Sequence, residues 1–331
     1  MVRMSDGWLA AVCLGAAACV APAGDAPEQD ETKAGPDFAV QGEYAGEAGG
    51  QKLGAQVIAL GGGTFHTVFF PGGLPGDGSD GKTRIEKTPL RDVGKIAVDT
   101  KTEGDKTVVD SVYKATISGD AMKGETDKGE KFELKKVLRK SPTLELKQPE
   151  GALVIFDGSG VDKVKGRMTD DKLLMQGATT KDKFGSGTLH VEFRIPFMPA
   201  ARGQGRGNSG VYLQSRYEVQ VLDSFGLPVK DNECGGVYSI CQAAIPMSFP
   251  PLSWQTYDIE FTVAEFDGAK KVKDALFTVK HNGVLIHKDV KLTHTTTAAP
   301  IGKEGAETAP LYLQDHGNPV RYRNVWFVEK K

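Results

Sequence analysis

The chain has 331 residues, 39% of them hydrophobic and 25% charged, with a formal net charge of −2. That length suits one large or two ordinary domains. The near-neutral balance, with no Lys/Arg cluster interleaved with aromatics, excludes a nucleic-acid footprint. The 41 glycines favour turns over long helices.

Residues 1–23 read as an export signal. Arg3 is positive, Trp8 to Val20 is a short apolar run, and Ala21-Pro22-Ala23 is a small-residue cleavage site. The run is too short for a transmembrane helix. Ala16-Ala17-Ala18-Cys19 offers a lipoprotein box as the alternative. The expected location is therefore periplasmic or secreted, with lipidation at Cys19 as the other route. Residues 24–36 (GDAPEQDETKAGP) are acidic and rich in small residues, and read as a disordered linker.

Residues 37–140 read as a small β-rich accessory domain. Its candidate strands are AQVIAL (55–60), TFHTVFF (64–70), KTVVDSVYKATI (106–117) and KFELKKVL (131–138), separated by glycine turns. DGSDG (77–81) lacks the ligand pattern of a calcium loop and reads as a turn. Ser141 to Gly151, with two prolines, is a natural domain link.

Strand patterns resume over residues 151–331. GTLHVEFRIP (187–196) alternates, with Leu189, Val191, Phe193 and Ile195 opposite His190, Glu192 and Arg194. Asn282-Gly283 is a strong hairpin signal. No long segment has helical period. Regularly spaced, alternating strands predict an all-β fold, a two-sheet sandwich or jelly roll.

The stretch from Arg206 to Gly226, read as a strand, puts Tyr212, Gln214, Arg216, Glu218 and Gln220 on one face. Val211, Leu213, Val219 and Val221 lie on the other. Amides, a guanidinium, a carboxylate and a phenol are the inventory for recognising sugar hydroxyls. Together with His190/Glu192/Arg194 and Asp258/Glu260/Thr262, this set is expected to form one polar concave surface. A glycosidase of the usual kind needs two carboxyl groups flanking the bond. Here the run reads Glu218, Gln220, Leu222, and Asp223 falls on the opposite face. A simple two-carboxylate mechanism is not supported by this strand. No Gly-rich dinucleotide fingerprint follows a βα pattern either, so the chain is not expected to oxidise its own substrate.

GRGNSGVYLQSRYEVQVLDSFG (205–226), ECGGVYSI, FPPLSWQTYDIEF, HNGVLIHKDV and LYLQDHGNPVRYRNVWF occur in that order. In these motifs the chain from Ala152 to Glu329 resembles the 3-keto-disaccharide hydrolase domain family. The resemblance implies a concanavalin-A-like jelly-roll sandwich, here preceded by the small β-rich domain. It also implies action on glycosides whose sugar has first been oxidised at C3 by a separate sugar 3-oxidoreductase. A C3 ketone acidifies the C2 proton. One base can remove it, the C1–O bond breaks by β-elimination, and water then adds. Members often carry a Cys before the Pro-Pro, where Ser248 stands here.

On this reading Glu218 is the base or a metal ligand, and His316 is the second acid/base candidate, in a glycine-containing loop. Gln214, Arg216, Gln220, Tyr212, Gln314 and Arg323 are candidates for substrate binding. Trp254 is either a sugar-stacking platform or a core residue, and Tyr238 is similarly ambiguous. His287 and His294 read as structural. A divalent metal ion held by Glu218, His316 and a third oxygen would stabilise an enolate. Cys234 and Cys241 are a disulfide candidate in an exported protein. The runner-up reading is a non-catalytic, lectin-like carbohydrate-binding protein using the same face.

Overall fold

A computed structural model describes residues 26–90 and 94–330. The expected signal and lipoprotein segments, with Cys13 and Cys19, lie outside the described residues. The fold is all-β, as its alternating patterns predict, and is built from a closed barrel and a two-sheet sandwich.

The barrel runs from Gly42 to Val137 and is antiparallel throughout. Its interior is filled by Tyr44, Val57, Phe65, Phe69, Ile117, Met122 and Leu134, so it is a packed core and not a channel. The segment expected as one strand over 106–117 is a hairpin, Lys106–Asp110 and Lys114–Ser118. Residues 26–36 are not a free tether. Glu28 exchanges backbone hydrogen bonds with Phe197, and a 3-10 turn at Glu31–Lys33 leads into a short helix, Gly35–Val40.

One sheet of the sandwich joins, in order, Leu153–Phe156, Arg321–Glu329, Gly187–Arg194, Trp254–Thr262, Ala275–His281 and Val284–Leu292. The other joins Val164–Lys165, Ala178–Phe184, Ala309–Leu313, Ser209–Leu213 and Tyr217–Val221. Between them lies one apolar core, with Leu189, Val191, Phe193, Ile259 and Phe277 facing Val211, Leu213, Val219, Val221 and Leu313. Asn282 and Gly283 form the expected two-residue hairpin loop, both at positive φ (50° and 78°).

The stretch 206–226 is not one strand. It is two, joined by a three-residue turn at Gln214-Ser215-Arg216, with Gln214 and Ser215 at positive φ. Tyr212 pairs with Glu218, Gly210 with Gln220, and Val211 with Val219. Cross-strand partners share a face. Because the turn has an odd number of residues, even-numbered positions stay together across it. The facial alternation survives although the strand does not.

The expected single concave surface is not formed. His190, Glu192, Arg194 and Asp258 belong to the first sheet, and Tyr212, Glu218 and Gln220 to the second. The two sets point out of opposite faces of the sandwich.

Candidate active site

The outer face of the second sheet carries a cavity of about 170 Å³, lined by Gln204, Asn208, Tyr212, Glu218, Gln220, Tyr238, Thr297, Ala298, Gln314 and His316. The hairpin supplies Tyr212, Glu218 and Gln220. The edge of its second strand is covered by Gly235-Gly236 and by Thr296, which accepts the Glu218 N–H at its Oγ1 (2.9 Å). Thr297 and Ala298 follow directly. Gln314 and His316 come from the loop after Ala309–Leu313, and His316 stands exposed at the rim.

Glu218 is the centre of this arrangement. It is 2% exposed. Its Oε2 accepts a hydrogen bond from Tyr212 Oη at 2.7 Å. Its Oε1 lies against Gly210, where a Cβ would stand 2.1 Å away, so the carboxylate occupies space that only glycine leaves free. Burial pushes its pKa up to about 8, only partly offset by the tyrosine hydrogen bond. Tyr212 is in turn held protonated by burial and by the neighbouring carboxylate. Gln314 Nε2 donates to its oxygen at 3.2 Å.

Two amides complete the lining. Asn208 donates to Gln204 O and Oε1, and Gln220 Nε2 donates to Gln204 Oε1 (3.2 Å). The carbonyl oxygens of both side chains, Asn208 Oδ1 and Gln220 Oε1, are buried without a partner. Buried acceptors are normally satisfied. Two idle ones in a polar cavity suit the hydroxyl groups of a sugar.

Four of the expected binding residues lie elsewhere. Arg216 and Gln214 sit in the hairpin turn, away from the cavity. Gln214 Nε2 donates to Phe184 O, and Arg216 donates to Gln214 Oε1, Lys303 O and Glu307 O. They clamp the loop after His294. Arg323 and Trp254 are on the other sheet, where Arg323 donates from Nε to Glu192 Oε2 (2.7 Å) and lies 4.2 Å from the Trp254 ring centroid. There Glu192 also takes Asn324 Nδ2 and the Glu145 N–H. His190, stacked on Trp326, donates from Nδ1 to Asp258 Oδ1 at 2.6 Å. Residues 141–147 cross this face as a strap, so the expected linker is packed structure. Gln204 and Asn208 escaped sequence reading because they precede the strand whose alternation was legible.

The disulfide expectation is overturned, since both cysteines are free. Cys234 Sγ lies 3.2 Å from Tyr257 Oη, and Cys241 Sγ lies 3.6 Å from His287 Nδ1. Each thiol is turned to a different partner. Nor is there, among the described residues, any group of three or more His, Cys, Asp or Glu side chains placed to hold a metal ion. Glu218 and His316 are the only such side chains lining the cavity, so the third oxygen of the expected metal set would have to come from an amide, a phenol or Thr297.

A larger hollow of about 570 Å³ separates the N-terminal segment from the barrel hairpin at Gly62-Gly63. Its carboxylates are already engaged, Asp37 by the Gly63 N–H and Glu28 by the N–H groups of Gln29 and Asp30. It lacks the buried acid and idle acceptors of the smaller cavity.

A family model described as a 3-keto-alpha-glucoside-1,2-lyase-like domain matches residues 127–328. The crystal structure of a "putative glycosyl hydrolase" from Parabacteroides distasonis ATCC 8503 is similar, with 28% identity and a TM-score of 0.51, over 55% of this chain and 85% of that one. A second structure of the same description and organism has 18% identity and a TM-score of 0.39, over 59% of this chain and 99% of that one. No curated protein matches the chain.

Proposed function

The chain belongs to the 3-keto-alpha-glucoside-1,2-lyase-like domain family, and from that premise we propose that it cleaves 3-keto-glycosides by elimination across C1 and C2, followed by hydration. At the coarser level it is a carbohydrate-active enzyme of hydrolase type. The observation that carries the finer reading is one buried carboxyl group, Glu218, with a pKa of about 8 and no cation beside it. A proton acceptor tuned near the working pH is what abstraction of a weakly acidic C–H requires. The absence of a second carboxylate from the cavity lining, which weighs against a nucleophile–acid pair, is no obstacle to this chemistry.

In this mechanism the C3 ketone makes the C2 proton acidic. Ionised Glu218 removes it, the electron pair forms the C1=C2 bond, and the C1–O bond breaks. The leaving oxygen takes a proton from His316 at the rim. Water then adds across the double bond, hydroxyl to C1 and proton to C2, giving the free 3-keto-sugar. Tyr212 holds Glu218 Oε2, leaving Oε1 to act. Gln220 Oε1 and Asn208 Oδ1 accept hydroxyl hydrogens, and Tyr238 walls the ring. The cavity is smaller than the ~300 Å³ of drug-sized sites, so it takes a single oxidised ring and leaves the other part of the glycoside outside. The substrate must come from a reaction that oxidises a sugar C3 hydroxyl, carried out by a separate oxidoreductase. Export, expected from residues 1–23, would place both steps outside the cytoplasm.

The test is to incubate the full chain with a 3-keto-glucoside and with the unoxidised glucoside. Release of the 3-keto-sugar from the oxidised substrate alone, with a loss of at least ~10³-fold in Glu218→Gln, is expected. Equal cleavage of the unoxidised glucoside, or full activity in the variant, would sink the mechanism. Binding of the keto-sugar without turnover would turn the reading to a lectin-like protein.

A further inference from the structure

On the face of the sandwich opposite the cavity, Arg194 and Arg321 stand directly across from each other on neighbouring strands. The inward neighbours Phe193 and Tyr322 are in the core, so both guanidinium groups point outward. Like charges in this cross-strand position repel. Among the described residues Arg84, Arg139, Arg206 and Arg323 each hold a carboxylate, yet neither Arg194 nor Arg321 does. Arg321 donates only to Gln176 Oε1 (2.9 Å) and Val320 O (3.2 Å). The Arg194 side chain makes no hydrogen bond, and its Nε is buried without an acceptor. Its contact is Trp254, whose ring centroid lies 5.2 Å from the guanidinium carbon.

An idle, half-buried guanidinium beside a second one without a carboxylate is costly unless something anionic completes it. The planar fork suits a carboxylate in two-point contact. Asp171, Glu31 and Asp30 act on Arg194 from a distance, and they would repel an extended polyanion such as a nucleic acid or an anionic membrane. A compact anion is favoured, and the part of the half-buried Trp254 indole that Arg194 and Arg323 leave uncovered is the surface beside the pair for the apolar face of a sugar ring. We infer that Arg194 and Arg321 form a second binding site, for the carboxylate of an acidic saccharide, on the face opposite the cavity. The site is independent of Glu218 and of the reaction proposed for it.

Calorimetric titration of the full chain with a glucuronate-terminated disaccharide tests this, with the matched neutral disaccharide and inorganic sulfate as comparisons. Binding of the acidic disaccharide is expected to fall at least ~10-fold in the Arg194→Gln/Arg321→Gln double variant and less in Arg194→Lys, which keeps charge but loses the fork. Glu218→Gln should bind it as wild type does, and the double variant should turn over the keto-glycoside normally. Arg321→Gln alone should raise Tm, because it removes the like-charge contact, and a cooperative melt of the double variant and of Arg194→Lys shows that each folds. Absence of binding, unchanged binding in the double variant, or equal binding of the neutral sugar or of sulfate alone would overturn the proposal. Either result leaves the cavity reading to stand or fall on its own test.

Discussion

A methyl group at position 210 would collide with the Glu218 carboxylate, its Cβ standing 2.1 Å from Oε1. Gly210 has no positive φ, so alanine meets no backbone penalty there and its effect falls on the carboxylate first and on the Tyr212 ring, whose Cε2 would lie 2.9 Å from the new Cβ. Gly210→Ala is expected to lower turnover by ~10²-fold or more while the circular dichroism spectrum is retained; wild-type turnover would mean that Glu218 Oε1 is not the reacting atom. The raised pKa of Glu218 has a second consequence. The folded state keeps its proton up to about pH 8, whereas the unfolded chain loses it near 4.3. The stabilisation from this group is therefore fully present below pH ~4.3. It is lost as pH rises through the folded value. Glu233, raised to about 7 by burial, acts in the same direction. Glu218→Gln cannot ionise, so its Tm should exceed that of wild type at pH 9, with the difference shrinking towards pH 5. Thermal melts across that range check the sign. For the enzyme, turnover should rise with pH towards about 8 as Glu218 ionises. Glu218 could be singled out in the sequence because it is a lone acid among amides and phenols. Its pKa could not, because that depends on how completely neighbouring loops cover it.

The hairpin shows what alternation reveals and what it conceals. Period-two patterning is a property of each strand, and an odd-numbered turn carries it across unbroken. Tyr212, Glu218 and Gln220 were therefore legible as a set, while the turn between them was not. Gln214 and Arg216 fit the alternation but belong to the turn, which redirects them to Phe184 and to residues 303–307. Their work is to hold the 294–308 loop, whose Thr296 in turn holds the backbone of Glu218. Ile301 N–H is bonded to Ser215 O in the same clamp. Arg216→Ala is expected to raise KM for the keto-glycoside ~10-fold with a smaller change in kcat, because Thr297 and Ala298 would lose their fixed place while Tyr212 and Glu218 keep theirs. Protease cleavage within residues 294–308 should become faster in the same variant. Unchanged KM and unchanged cleavage would show that the loop is held without the arginine.

At the scale of the whole molecule, composition and punctuation mark two β-rich stretches but say nothing about how they are joined. The junction is long-range. Arg206, next to the cavity segment, pairs with Asp223 at 2.6 Å and also donates to Ala59 O in the barrel. Arg84 of the barrel side donates to Gly226 O, and Arg139 pairs with Glu43 while lying 5.0 Å from the Phe249 ring centroid. Between these polar contacts, Phe225 and Leu227 pack with Ile58, Leu60 and Leu90 in a core of their own, and Phe197 and Leu252 complete the barrel's core. The loop that carries Phe225 follows directly on the strand of Glu218 and Gln220. The barrel thus supports the cavity from behind, and the two units should unfold together. Heating should give one transition with coincident far-ultraviolet dichroism and tryptophan fluorescence; among the described residues both tryptophans, Trp254 and Trp326, belong to the sandwich, so their fluorescence does not follow the barrel directly. Phe225→Ala removes a side chain that is 1% exposed, a change that costs ~3–5 kcal/mol in a packed core. It should lower Tm by several degrees and separate the two probes, because the junction loses its anchor before either unit loses its own core. Two separate transitions already in the wild-type chain, or an unshifted Tm in the variant, would show that barrel and sandwich are merely adjacent, and the cavity would then owe its shape to the sandwich alone.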